Sequence, residues 1–511
     1  VVLPIKRRQR GTLARWRVAA VLAGTCLGSA AAHAVDGTWL LAPGSNDYNT
    51  GSNWSSSPTV PDGTASFGIS ATTSLVFSAA ATTVGGWTFN AGASAYTFTN
   101  AGHNLQFNGA GIIINGGSAN IVSSFSGTNA TITFNNSSSA GSATFTSNPA
   151  NFPTYTFNNT STAAHANFQL VDATLIFNNS SNAGNATINM PNPFHPANVV
   201  FHNNSSAGNA IITNVGVDTL GSSVTFFGAS TAGNATITNN PNIAVPGEGG
   251  VLIFGNRNGG GTDTANAGTA TITNNQFGST NFFGFTSGAN ATFINNNGGS
   301  TAFEEHSTAA NATIIDHSGG GVIFFAGSPT AGNATIINDA GGTVEFGLAG
   351  FYPIIIDTAT AGNATITNNG TVVFSSATTA GNATITTNAG GTVSFMEAST
   401  GGSARFIMNA GGIFDMSGLT TGGMTAGSIE GGGNVFLGGN ALSVGLNNLS
   451  TTFSGVISDG GSSGGTGGQL IKTGTGNLTL TNTETYTGAT TVNGGTLTVN
   501  GSIALSSGVA V

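Results

Sequence analysis

Apolar and polar residues alternate along most of this chain in short runs that keep returning to one form. In the motif Ala-Gly-Asn-Ala-Thr-Ile, usually extended by Thr, an extended backbone puts Ala and Ile on one face and the two Thr on the other. Clear copies carry their Asn at Asn185, Asn234, Asn290, Asn311, Asn333, Asn363 and Asn382, and weaker ones are centred on Asn129, Ser142, Asn209, Thr269 and Ser403. From Ala270 onward the Ala-to-Ala steps are 21, 21, 22, 30, 19 and 21 residues. A second alternating run follows most copies and ends in Phe: Phe177, Phe201, Phe226, Phe303, Phe324, Phe346, Phe374, Phe395 and Phe414. Gly-Gly or Asn-Asn turns separate the two runs, as in Asn388-Ala389-Gly390-Gly391.

Each predicted strand is too short to be stable alone. Periodic short strands find partners if the chain coils once per ~21 residues and equivalent strands stack about 4.8 Å apart in parallel ladders. Ile then lies on Ile, Phe on Phe, and turn Asn on turn Asn, where amides can bond along the stack. The expected fold is all-β, a parallel β-helix (solenoid) of ~21-residue coils, right-handed by the crossover rule for parallel strands. At that period the chain holds roughly 23 coils, a rod on the order of 100 Å long.

Composition supports this and narrows the function. Only 5% of the 511 residues are charged and 79 are Gly, against roughly a quarter charged in ordinary globular domains. Six of the nine basic residues (Lys6, Arg7, Arg8, Arg10, Arg15, Arg17) precede residue 18, leaving Arg257, Arg405 and Lys472 against 18 acidic residues. A surface so acidic repels phosphate backbones, so no nucleic-acid partner is expected. The basic head, the apolar stretch Val18–Ala31 and the small-x-small site Ala32-His33-Ala34 have the layout of a secretory signal peptide over residues 1–34. The apolar run is shorter than the ~20 residues of a membrane-spanning helix. Cys26, the one cysteine, lies inside that leader. A mature chain without disulfides suits passage in an unfolded state across a second membrane.

Candidate chemistry is sparse. Ser458-Asp459-Gly460-Gly461-Ser462 has the composition of a serine-protease loop but not the order, and it reads as a Gly-rich turn. Glu304 and Glu305 are adjacent, so a strand points them to opposite faces rather than into one cleft. Aligning Asn311 with Asn333 places His317 over Asp339, beside Asp316 and Asn338, where a turn contact is expected rather than a metal site. His195 and His202 read as scattered turn or strand residues, and Arg257, Arg405 and Lys472 as isolated cations. Thr-x-Thr arrays (Thr236/Thr238, Thr271/Thr273, Thr365/Thr367, Thr384/Thr386) could order water as ice-binding solenoids do, but Ile315 and Ile337 interrupt them. No catalytic, cofactor-binding or metal residue is assigned, and no cofactor is expected.

Near the C-terminus the pattern changes to Leu470-Ile-Lys472-Thr-Gly474-Thr-Gly476-Asn-Leu478-Thr-Leu480, followed by Tyr486-Thr-Gly488-Ala-Thr490-Thr-Val492 and Gly494-Gly495-Thr-Leu497-Thr-Val499. This closely resembles the autotransporter-associated β-strand repeat. The segments Gly37-Thr-Trp39, Gly51-Ser-Asn53-Trp54, Val60-Pro61-Asp62-Gly63 and Ala65-Ser-Phe67 resemble the start of such passengers. The resemblance implies an exported, type V secreted passenger at the cell surface or outer membrane of a Gram-negative bacterium, or released from it. Its partner would be an outer-membrane β-barrel translocator, with host-cell, matrix or glycan ligands beyond that. No barrel-type segments occur, and the chain starts with Val1 and stops mid-strand at Val511, so it is expected to be a piece of a longer protein. The organisation expected is a leader (1–34), capping or first coils (35–110), the repeat helix (111–455), and a Gly-rich loop with the associated repeat (456–511). A structural or adhesive, non-catalytic role is the principal expectation, with binding on the longer excursions Asn240–Gly268 and Gly347–Thr360. A β-helical carbohydrate-active enzyme is the alternative, followed by an ice-binding solenoid.

Overall fold

One coil shows how the pattern becomes structure. In the computed structural model the strand Thr313–Asp316 buries Ile314 and Asp316 and turns Thr313 and Ile315 outward. A four-residue turn leads into the strand Gly321–Gly327, which buries Val322 and Phe324. The chain then makes a single-residue bridge at Thr330 and re-enters the motif as Ala331-Gly332-Asn333-Ala334 before the next strand, Thr335–Asn338. Thr313 to Asp316 pair in parallel with Thr335 to Asn338, and Phe324 lies beside Phe346 on the following coil. The structure describes residues 33–124, 129–191, 194–216, 222–242, 244, 247–256, 262–348 and 357–511. The expected leader therefore lies outside the described residues except for His33 and Ala34.

Repeated coil on coil, this gives an all-β parallel solenoid of about 18 coils with about 23 residues per turn. The regular stretch keeps the expected period, with Thr271, Thr292 and Thr313 in register 21 residues apart. The mean is longer, and the coils fewer than the 23 expected, because excursions add residues without adding a rung. Asn239 and Asn274, for example, are direct neighbours across 35 residues of chain.

Three faces run along Val35–Val511, which forms one compact unit. Two are the anticipated Ile-bearing and Phe-bearing sheets. The third was not anticipated: a ladder of single bridges through Ser139, Thr162, Asn182, Ser206, Thr231, Asn266, Ser287, Thr308, Thr330, Thr360, Thr379 and Thr400. Its signal is the small polar residue that stands before most Ala-Gly pairs, too brief to read as a strand. Toward the C-terminus this face broadens into a five-stranded sheet: Gly423–Ala426, Ala441–Val444, Gln469–Lys472, Thr490–Val492 and Val509–Ala510.

The core is a column of rings. From Phe107 through Phe134, Phe157, Phe177, Phe201, Phe226, Phe254, Phe282, Phe303, Phe324, Phe346 and Phe374 to Phe395, centroids lie 4.5–5.0 Å apart with planes within 14°. The rung spacing of a parallel sheet imposes this, since rings in one rotamer repeat at the distance of the backbones that carry them. Each buried ring contributes about 1.5–3 kcal/mol. Phe414 departs from the expected series: it is the register partner of Val393, not of Phe395, just before the ladder shifts register, and it tilts 35° from Phe395. The first coils close the N-terminal side with a buried cluster of Trp39, Tyr48, Trp54, Phe67 and Trp87. Their indoles are satisfied, with Trp39 Nε1 donating to Thr72 O, Trp54 Nε1 to Tyr48 O and Trp87 Nε1 to the Tyr48 hydroxyl.

The motif glycine has a specific task. Gly233 and Gly362 sit at φ +60°, and a Cβ at either would come 2.8 Å from the carbonyl oxygen of the equivalent glycine one coil back. Ala164, Ala289 and Ala310 hold the same left-handed position elsewhere, at φ 50–53°. We therefore expect Gly362→Ala to destabilise the chain by about 1–3 kcal/mol, whereas Ala310→Gly is neutral or stabilising. Phe226→Ala, which empties one position of the ring column, should cost about 3–5 kcal/mol. Denaturant unfolding of the three variants measures both effects.

Candidate functional site

The residues singled out from sequence do not converge. The loop containing Ser458–Ser462 is organised by two carboxylates that accept backbone amides. Asp459 takes Gly467 and Gly468 N–H and the Thr487 hydroxyl, while Asp415 takes Ser462 N–H and the Ser417 hydroxyl. Burial raises both carboxyls, but the hydrogen bonds together hold them below the ordinary Asp value. Ser462 enters through its amide and its side chain, both bonded to Asp415 as part of a turn. Arg405 lies outward and pairs with Glu430 on the next coil, so it is not isolated. Arg257 lies outside the described residues.

Lys472 corrects a second expectation of isolation. It is a buried residue on the third sheet, and its ammonium donates to the carbonyls of Thr473 and Gly494. Desolvation lowers its pKa. It clamps two adjacent turns, Gly474 and Gly495 lying in the left-handed region beside it.

His317 does lie over Asp339, with Nδ1 2.8 Å from Oδ2. Both side chains are over two-fifths exposed, where such a pair is worth about 0–1 kcal/mol. Asp316, read from sequence as part of the same turn, is fully buried instead. It occupies one position of an interior amide ladder, and burial pushes its carboxyl up to about 7. His195 is not merely scattered: its Nδ1 is 2.8 Å from Oδ2 of the nearly buried Asp172, which also accepts Ala150 N–H. His202 stacks on Phe227. Among the described residues no three His, Cys, Asp or Glu side chains group as metal ligands would. The outward Thr column is broken by Ile294 as well as Ile315 and Ile337.

The corner that follows the Phe-bearing strands carries the most distinctive surface. Phe285, 58% exposed, stacks against His306 of the next coil at 5.1 Å and 18°. These rings, with Thr262, Gly284, Glu305, Ala326 and Gly327, line a depression of about 370 Å³. Glu305 turns the corner at φ +58° and accepts Gly284 N–H at 2.8 Å, and His306 Nδ1 lies 3.0 Å from Ser328 Oγ. The excursion expected over Asn240–Gly268 proves to be two. Val251–Phe254 inside it is a regular Phe-bearing strand, in register with Ser223–Phe226. The part beyond Phe254 leaves from the same corner as the excursion after Phe346. Three coils with short corners, those of Phe282, Phe303 and Phe324, lie between them and carry the depression.

Residues 470–499 match the family model of the passenger-associated-transport-repeat. The matched stretch supplies strands to two faces. It buries Leu470, Leu478, Leu480 and Tyr486, whose hydroxyl lies 2.6 Å from Thr490 Oγ1. That repeat on a parallel β-solenoid fits an autotransporter passenger region. Passengers of this kind are exported to the surface of Gram-negative bacteria. No curated protein matches the sequence.

Lys472→Met keeps an unbranched stem, one atom shorter, and removes the donor. It should leave two carbonyls short of a partner and destabilise the last coils by about 1–3 kcal/mol, detected as earlier proteolysis within residues 456–511.

Proposed function

We propose that the chain is a structural and adhesive passenger without catalytic activity. A signal peptide over residues 1–34 exports it, an outer-membrane β-barrel translocator carries it to the surface, and its corners meet host-cell, matrix or glycan ligands. The observation that supports this best is how the polar chemistry is used. Asp415, Asp459 and Glu305 accept backbone amides, Lys472 caps carbonyls, and Arg405 pairs along the outer face. A hydrolase or lyase on this scaffold would need such groups converging on one cleft. The exposed Phe285 and His306 rings offer instead a contact surface on a rigid rod, the form in which aromatic side chains dominate recognition.

Surface-displayed protein is expected to bind cells or immobilised matrix components, with Phe285→Ala combined with His306→Ala reducing attachment by about tenfold or more, the effect of losing ~1.4 kcal/mol. The unfolding midpoint should stay put, since both side chains are on the surface. Undiminished attachment of the double variant would remove this corner from the adhesive reading. Release of new reducing ends from a polysaccharide panel, abolished by Glu304→Gln or Glu305→Gln, would replace that reading with the enzymatic one.

A further inference from the structure

Inside the Ile-bearing sheet the last buried position of successive strands is an amide that bonds along the rod. Asn214, Asn239, Asn274 and Asn295 each donate Nδ2 to the Oδ1 of the next coil, at 3.4, 2.8, 2.9 and 2.6 Å, the last acceptor being Asp316. The ladder resumes from Asn338 to Asn368 at 2.8 Å. Each amide spends a second Nδ2 hydrogen on the first carbonyl of a Phe-bearing strand: Val251, Ser279, Ser300 and Gly321 in the upper part, Thr371 for Asn338. One rung-to-rung bond is missing. Asp316 and Asn338 are register partners, and both are fully buried. The two atoms left without a partner there are Asp316 Oδ2, where an Asn would carry its donor, and Asn338 Oδ1, the acceptor that donor would meet.

The surroundings change at the same coil. Thr280 and Thr301 donate hydroxyl hydrogens to the ladder oxygens of Asn274 and Asn295, at 2.9 Å each. The residue in register for Asp316 is Val322, which has none to give. An ionised carboxylate here would face a carbonyl oxygen across one rung, next to a valine. A neutral acid would face it with a hydrogen.

We propose that Asp316 is a buried, protonated acid whose Oδ2–H donates to Asn338 Oδ1, making this one joint of an otherwise pH-indifferent ladder a proton-dependent seam. The step is a proton exchange with solvent and forms one hydrogen bond. The charged groups near it have opposing effects: His317 lowers the Asp316 pKa and Asp339 raises it, both less than burial does. Asn295 and Asn338 flank it in its own sheet. From the Phe-bearing strands packed against it come Val322 and backbone carbonyls, while Glu304 and Glu345 alternate with buried neighbours and so lie on the outward side.

The direction of the pH effect follows from the raised folded value. Between the ordinary Asp value of 3.8 and about 7, the folded chain keeps a proton that the unfolded chain has released. The seam's contribution is therefore complete below about pH 4, declines as pH rises through that window, and is at its lowest and level above about pH 7.

The test compares the chain with its Asp316→Asn and Asp339→Asn variants by thermal unfolding and by amide exchange, corrected for intrinsic rate, from pH 4 to 8.5. Asp316→Asn supplies Nδ2 and restores the ladder. We expect it to unfold at a higher temperature than the parent at pH 8, with the difference shrinking toward zero near pH 4. In the parent, protection of strands Thr313–Asp316 and Thr335–Asn338 should drop as pH rises, while that of Thr384–Thr387 holds. Asp339→Asn, which removes the exposed partner of His317, should keep the parent's pH step. A difference between Asp316→Asn and the parent that is constant with pH, or of opposite sign at pH 8, overturns the proposal. So does loss of the step in Asp339→Asn.

Discussion

Everything in this molecule depends on one spacing, the distance of nearly 5 Å at which parallel strands accept each other's backbone hydrogen bonds. A coil has no core of its own. It becomes stable only when the next coil covers its unpaired N–H and C=O groups and its apolar side chains, so stability resides in neighbour interfaces. Any side chain repeated at one register position must then tolerate its own copy at that distance. Flat rings do so by stacking, amides by donating along the column, and Ile by packing branch on branch. The same constraint selects glycine or a left-handed alanine where the motif turns, because the preceding coil's carbonyl stands 2.8 Å from where a Gly233 Cβ would be.

Charge is scarce for the same reason. Like charges repeated at this spacing repel, and a buried one must find a partner within its own rung or the next. Thr, Ser and Asn solvate the outer faces and satisfy the inner ones without that penalty. Some ionisable groups, such as Arg405 and Glu345, stand on the outward side of regular strands, while others sit where the repetition breaks. Asp415 and Asp459 hold an irregular loop, Lys472 bridges two turns, and Asp316 takes the place of an amide. In a solenoid such departures mark function or adjustment, because the regular coil needs none of them.

The functional reading follows from the shape of this economy. Every corner of a stack of coils can lengthen without disturbing the ladders on either side. The parts beyond Phe254 and Phe346 do this at one corner, and the exposed Phe285–His306 pair lies on the short corners between them. The passenger-associated repeat at residues 470–499 continues two of the faces, the Ile-bearing sheet and the third face, which has already widened into a sheet before it.

Periodicity alone determined the class of fold, the two main sheets, the stacking of Ile and Phe, and the His317–Asp339 contact, because each follows from aligning equal steps of about 21 residues. Where the step varied, the sequence was a poorer guide. Val251–Phe254 was hidden inside an apparent excursion, Phe414 was assigned to the wrong column, and a face made of single bridges left no strand-length signal. The fate of individual ionisable groups was decided only by the tertiary structure. Asp316 and His317 are adjacent in sequence, yet one is buried in an amide ladder and the other is exposed. Alternation assigns a residue to a face. Only the packed neighbours, here Asn295, Val322 and Asn338, decide whether that face offers a carboxyl water, a partner or a proton.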